Sequence, residues 1–313
     1  IRIASSASIT GELSDAFSSK KKGISIIASA LVRAISALKE LEKENMQLII
    51  EDPLFISVKG KLLELKETVK NYRQISAANW FATAKWMGNY IENGILIDCG
   101  STTTDIIPII RNEPSAIGKT DLERLKSGEL IYTGALRATI PSISHEVPLN
   151  GEMVPISFEK FALIADVHLI LGNITESQYD CETADGRSKS LENSKKRLAR
   201  IVCEDASFLG DENIMDIARH LYEKQINIIF DKITKVLHNF EEKYGVTKED
   251  IKCCVTGLGE LILAKPAAER AGLVHVKSVS SMLDFNSTII SSSLGTLYML
   301  KEFYDAKNGT GLY

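Results

Sequence analysis

The sequence has no excess of positive charge. Its 37 lysines and arginines are outnumbered by 41 aspartates and glutamates, for a net charge of −4 and a pI near 5.9. A chain of that balance carries no electrostatic footprint for nucleic acid. It also has no apolar run near the roughly 18 residues of a membrane span, and its first residues show no signal-peptide pattern, so a cytoplasmic enzyme or binding protein is expected. Its five cysteines (Cys99, Cys181, Cys203, Cys253 and Cys254) are odd in number and none stands in C-x-x-C spacing, which favours reduced thiols over disulfides or a zinc site. Cys99 and Cys253-Cys254 lie in apolar, strand-like runs, where cysteine is usually a small core residue. The histidines at 145, 168, 220, 238 and 275 are scattered, and no pair has the spacing of a zinc-binding helix. No repeat or low-complexity stretch is visible. What is present is ordinary globular material: 313 residues, 44% hydrophobic and 25% charged, enough for two domains.

The most informative stretch is Ile95-Leu-Ile-Asp-Cys-Gly-Ser-Thr-Thr-Thr-Asp-Ile-Ile-Pro-Ile109. It reads as a buried strand, a hydroxyl-rich turn and a second strand, with Asp98 and Asp105 bracketing the turn. Gly100 lets the chain bend, and Ser101 to Thr104 crowd donors into the bend. Hydroxyls and backbone N–H groups suit a phosphate, and two flanking acids suit the water shell of its magnesium. The bland alternative is a plain hairpin whose threonines serve strand propensity.

Along the chain, strand patterns fall at 1–4 and 46–50, and helical spacing runs over 23–44, with apolar residues at 24, 27, 31, 35, 38 and 41. Amphipathic and alanine-rich helices follow at 61–71 and 76–87; the alanines of the second would let it pack closely on a sheet. After the hairpin come a strand at 129–133, an irregular region with Pro141, Pro148, Pro155 and the turn Asn150-Gly151, and helices at 194–206 and 213–244. A strand at 251–256 enters the turn Gly257-Leu-Gly-Glu260, and a strand at 274–279 and a helix at 291–304 close the chain. Asp166 interrupts an apolar run, either as a paired buried acid or as a ligand. Arg197 and Arg200 share a helix face, either as solvated charges or as a diphosphate clamp.

This order suggests two α/β lobes, at 1–92 and 93–313, the second carrying an inserted substrate region at about 138–194. It is similar to the actin/hexokinase-like (ASKHA, ribonuclease H-like) two-lobe fold. There the first hairpin of each lobe grips phosphates and a late Gly-x-Gly turn grips what is attached to them. No such hairpin is seen for the first lobe; either the chain was cut upstream of it or the lobe has lost it.

Several motifs narrow the resemblance: Thr10-Gly-Glu-Leu13, Ala77-Ala-Asn-Trp-Phe-Ala-Thr-Ala84, the 98–108 hairpin, Thr133-Gly-Ala-Leu-Arg137, Ala165-Asp-Val167, Leu171-Gly172, Tyr179-Asp-Cys-Glu-Thr-Ala-Asp-Gly186, Arg197-Leu-Ala-Arg200 and Gly257-Leu-Gly-Glu260. Together the chain resembles the hydantoinase/oxoprolinase-related proteins linked to tetrahydromethanopterin one-carbon metabolism. The resemblance implies a transfer in methanofuran biosynthesis, in which the phenol oxygen of glutamyl-tyramine displaces pyrophosphate from an aminomethylfuran diphosphate. It implies Mg²⁺ as cofactor on Asp98 and Asp105, and the leaving diphosphate on Gly100, Ser101, Thr102 and Thr103. Thr133, Gly134 and Arg137 would bind substrate or phosphate, as would Gly257, Gly259 and Glu260. Thr183, Asp185 and Gly186 would shape the pocket, and Asp185, Asp166 or Glu12 would take the phenol proton. The partners implied are small molecules only, with no nucleic acid and no membrane. An ATP-dependent kinase or ATPase of the same superfamily, and a non-catalytic nucleotide-binding protein, are the competing readings.

Overall fold

The computed structural model describes residues 2–41, 48–283 and 291–308. The strand expected at 1–4, the helix expected to reach 44 and the strand expected from 46 each run partly outside these residues. The chain forms two compact units: Ile1–Ile95 with Ile107–Ser127 and Ile290–Tyr313, and Leu96–Ile106 with Gly128–Ile289.

This division differs from the boundary expected at 92/93. The closing helix Ser291–Asn308 belongs to the first unit because it packs on the helix Asn79–Met87. The small residues Ala82, Thr83 and Ala84 do allow close packing, but chiefly against that helix rather than a sheet. Elsewhere in the first unit, the helix Lys20–Leu41 buries Ile24 and Ala28 against Ile9, Phe55 and Ile75. A small sheet orders Ser6–Ala7, Leu54–Ile56 and Leu62–Leu63, the first pair parallel and the second antiparallel. The strand Leu62–Leu63 occupies the start of the helix expected at 61–71, which begins only at Leu65.

Within the second unit a sheet has the spatial order Val276–Ser278, Lys252–Thr256, 96–99 and 104–106; Leu130–Ile131 pairs antiparallel with Thr104–Asp105. Ile95, Leu96, Ile97 and Cys99 are all fully buried, as the continuous apolar run requires. Cys253 and Cys254 are buried too, and burial pushes the Cys99 thiol up to about 12 and Cys254 to about 11, so these are core residues.

The region expected to be an irregular insertion is a packed layer. Asn150 and Gly151 both take positive φ (51° and 86°), closing a two-residue hairpin between Glu146–Leu149 and Glu152–Pro155. Ile140, Val147, Ile164, Val167 and Leu198 join Ile217 and Leu221 of the long helix Ala206–Tyr244 in one core. The apolar run broken by Asp166 becomes the helix Ile164–Ile170. Among the described residues, no helix is long and apolar enough to cross a membrane.

Candidate functional site

Three segments of the second unit meet at the hydroxyl-rich turn. Within it, the Gly100 N–H donates to the Thr103 carbonyl (2.9 Å), and the Thr104 hydroxyl reaches the Thr133 carbonyl (2.7 Å). The segment 133–137 then lies along the turn: Ala135 N–H donates to Gly100 O (2.9 Å), and Leu136 and Arg137 N–H both donate to Ser101 O (2.9 and 3.0 Å). Gly134 makes that approach possible, since a Cβ there would stand 2.5 Å from Gly100 O. On the strand side, Gly259 N–H donates to Cys99 O (2.8 Å). Gly257, at φ +90°, would put a Cβ 2.4 Å from Cys99 O and 2.7 Å from Asp98 Oδ1. The expected Gly100, Ser101, Thr103, Thr133, Gly134, Arg137, Gly257 and Gly259 are therefore one continuous backbone frame. Asp98 and the side chains of Ser101, Thr102 and Thr103 are half-buried on it, and Asp105 is buried.

Glu260 ends this frame. The Ser278 hydroxyl donates to its Oε1 (2.9 Å), while Oε2 is buried with no hydrogen-bond partner among the described residues. Burial raises its carboxyl above the ordinary range, with Ser278 offsetting part of the rise.

Two residues that the sequence reading passed over brace the frame from behind. Gln225, on the long helix, donates to Thr133 Oγ1 (2.8 Å) and to Gly134 O (2.9 Å). Its carbonyl oxygen meets His168 Nε2 at 3.0 Å, and His168 Nδ1 meets Asn173 at 3.2 Å. Burial pushes His168 down to about 4, against a smaller rise from Gln225, so the brace is neutral at physiological pH. The sequence signals were a histidine inside an apolar run and a glutamine on the inward face of a long helix.

The Thr183–Gly186 motif is organised by charge instead. Arg197, fully buried, donates through Nε (2.9 Å) and Nη2 (2.7 Å) to Asp166 Oδ1, and through Nη1 to Asp185 Oδ1 (3.2 Å). Arg200 takes Asp185 Oδ2 at 3.1 Å. Asp166 also accepts from the Leu163 N–H (3.0 Å) and the Tyr179 hydroxyl (3.2 Å). Asp166 is thus a paired buried acid, and Arg197 is neither solvated nor turned outward as a clamp. Burial would raise the Asp185 carboxyl, but the Arg187 N–H and the two guanidinium groups outweigh it and hold it below its ordinary value. A carboxylate so loaded is a weak base. Thr183 Oγ1 donates to the Arg187 carbonyl (2.8 Å), closing the loop, and Gly186 sits at its open tip. In the first unit, the third candidate base, Glu12, accepts from the Ser76 hydroxyl and keeps a buried second oxygen with no hydrogen-bond partner among the described residues.

Beside these motifs the second unit opens a cavity of about 660 Å³. Arg137, Lys160 and Lys189 line it with Asp180 and Glu182, over Leu163 and the Cys181 thiol. Among the described residues, no three His, Cys, Asp or Glu side chains form a metal cage.

Comparison with known proteins bears on this geometry. The family model for hydantoinase/oxoprolinase matches residues 4–289. The chain is 35% identical over 271 residues to (4-{4-[2-(gamma-L-glutamylamino)ethyl]phenoxymethyl}furan-2-yl)methanamine synthase of Methanocaldococcus jannaschii, covering 86% of this chain and 74% of that protein. It is 34% identical over 221 residues to the synthase of the same name from Methanococcus vannielii, covering 70% and 96%. Among solved structures it is similar in fold to nucleotide-free acetone carboxylase, with a TM-score of 0.52 at 15% identity. That match covers 78% of this chain and only 35% of the carboxylase chain.

Proposed function

Because the chain belongs to the hydantoinase/oxoprolinase family, we propose that it is a transferase of actin/hexokinase-like fold that joins an aminomethylfuran-methyl diphosphate to glutamyl-tyramine and releases pyrophosphate. The observation that carries this reading is the 35% identity, over most of the chain, to a synthase named for a phenoxymethyl-furan ether. In the proposed reaction the phenol oxygen forms a bond to the furan methylene as the bond from that carbon to the diphosphate oxygen breaks. The furan ring stabilises positive charge at the methylene, so the protein's task is to stabilise the departing pyrophosphate and to exclude water.

In this reading the half-buried hydroxyls of Ser101, Thr102 and Thr103 hold the leaving group. The frame of 133–137 and 257–260 keeps them from following it, which is the preorganisation that electrostatic catalysis needs. Asp98 and Asp105 would hold Mg²⁺ in the way a phosphate site uses it, as one or two carboxylates with substrate oxygens and water completing the shell. When bound, Mg²⁺ would neutralise charge on the pyrophosphate. Asp185 and Asp166 position the loop around the acceptor through Arg197 and Arg200.

The test is to incubate the protein with Mg²⁺ and the furan diphosphate, with and without glutamyl-tyramine. Pyrophosphate release that requires the phenol is the expected result; ADP formation from ATP and the same acceptor would instead make the protein a kinase. Asp98→Ala should abolish turnover while leaving the melting temperature close to wild type, and an unchanged rate would remove Asp98 from the site.

A further inference from the structure

The second unit treats charge in two ways. Around Asp166 and Asp185, every carboxylate is matched to a guanidinium. Around the 660 Å³ cavity next to them, Arg137, Lys160, Lys189, Asp180 and Glu182 form no ion pair with any described residue, although both signs are present. Lys189 lies 5.7 Å from the ring centre of Tyr179, and the Arg137 main chain is bound to Ser101 O at 3.0 Å. The cavity therefore begins one backbone hydrogen bond from the turn that the proposed reaction gives to pyrophosphate.

Resting on that reading, we propose that this cavity binds the α-amino-acid head of the glutamyl acceptor, its carboxylate on Arg137 with Lys160 and Lys189, and its ammonium on Asp180 and Glu182. A diphosphate is a poor occupant, because the two carboxylates of the lining, Asp180 and Glu182, repel it. A simple amine is a poor occupant for the converse reason. A zwitterion satisfies both signs at once, and the planar fork of Arg137 matches a carboxylate with two parallel hydrogen bonds. The head would then fix the far end of the acceptor, leaving its phenol to reach the reacting carbon.

The experiment is calorimetric titration of the full chain with γ-glutamyl-methylamide, which carries the head and lacks the phenol, and separately with pyrophosphate. The wild type should bind the probe, and Arg137→Gln and Asp180→Asn should each weaken it about tenfold or more, the loss expected for one charged hydrogen bond. 4-Aminobutanoyl-methylamide, which lacks the carboxylate, should bind weakly and be indifferent to Arg137→Gln. No binding of the probe by folded wild type, or equal affinity in all three proteins with only pyrophosphate weakened by Arg137→Gln, overturns the assignment. Kinetics separate this from failure of the reaction itself. Phenol-dependent pyrophosphate release with an unchanged KM for glutamyl-tyramine in Arg137→Gln rejects the head site alone. Variant-sensitive probe binding without any pyrophosphate release rejects the reaction alone.

Discussion

Two acid-bearing turns of the second unit, 98–105 and 183–187, are held by different forces. The first is bound by backbone hydrogen bonds from 133–137 and 257–260 and braced by the neutral pair Gln225 and His168. The second is bound by guanidinium groups, with Asp166 and Asp185 both committed to Arg197. The hydrogen bonds that frame the first turn run between neutral groups, whereas at the second the charges of Asp166 and Asp185 are matched by guanidinium groups. On the proposed reading, that contrast favours the hydroxyl-rich turn for the pyrophosphate and gives the Asp185 loop the part of a wall rather than of a catalytic base.

The contrast can be broken most severely at Arg197. Arg197→Met should strand the fully buried Asp166 carboxylate and cost about 3–5 kcal/mol in urea denaturation. A loss under about 1 kcal/mol would mean that the ion pair does not hold the second turn. Acid should attack the first turn earlier. His168 is held near 4 in the fold against an ordinary 6.5, so the unfolded chain takes up the proton first. The stability this contributes is complete above about pH 6.5 and is lost as pH falls toward 4, by about 3 kcal/mol in all. The depressed Asp185 carboxyl loses its contribution only as pH falls below the ordinary carboxylate range. Denaturation midpoints across pH 7 to 4 should therefore decline in wild type and flatten in His168→Gln.

Glycine substitutions sharpen the difference further. Gly257→Ala drives a Cβ into Cys99 O and Asp98 Oδ1, and should lower kcat about a hundredfold by displacing the carboxylate. Gly186→Ala meets nothing within 4 Å and strains only its positive φ, so it should cost about 1 kcal/mol in thermal unfolding and leave kcat within about twofold. Equal effects at the two glycines would remove the distinction between frame and wall.

Much of the fold was legible because its signals are local. The hairpin at 95–109, the Asn150-Gly151 turn and the long helix ending before Gly245 follow from apolar periodicity and from residues that tolerate positive φ. The layer at 138–194 was misread as irregular because its elements are short and proline-rich. They gain order only by burying Ile140, Ile164 and Val167 in a core shared with a helix whose residues Ile217 and Leu221 come later in the chain. The strand Leu54–Ile56 was passed over for the same reason: three residues flanked by Pro53 carry no readable period.

What the sequence determined by itself was the turn: an apolar run, Asp98, Gly100 and four hydroxyl residues can fold only a few ways, because backbone sterics act between neighbours. What only the tertiary structure decided was the state of each charge. Arg197 meets Asp166 across 31 positions of chain, whereas Asp180 and Arg137 line one cavity without forming an ion pair. Whether a carboxylate is spent or left for a ligand depends on distances of a few ångströms and on exclusion of water, and neither is set until distant segments pack.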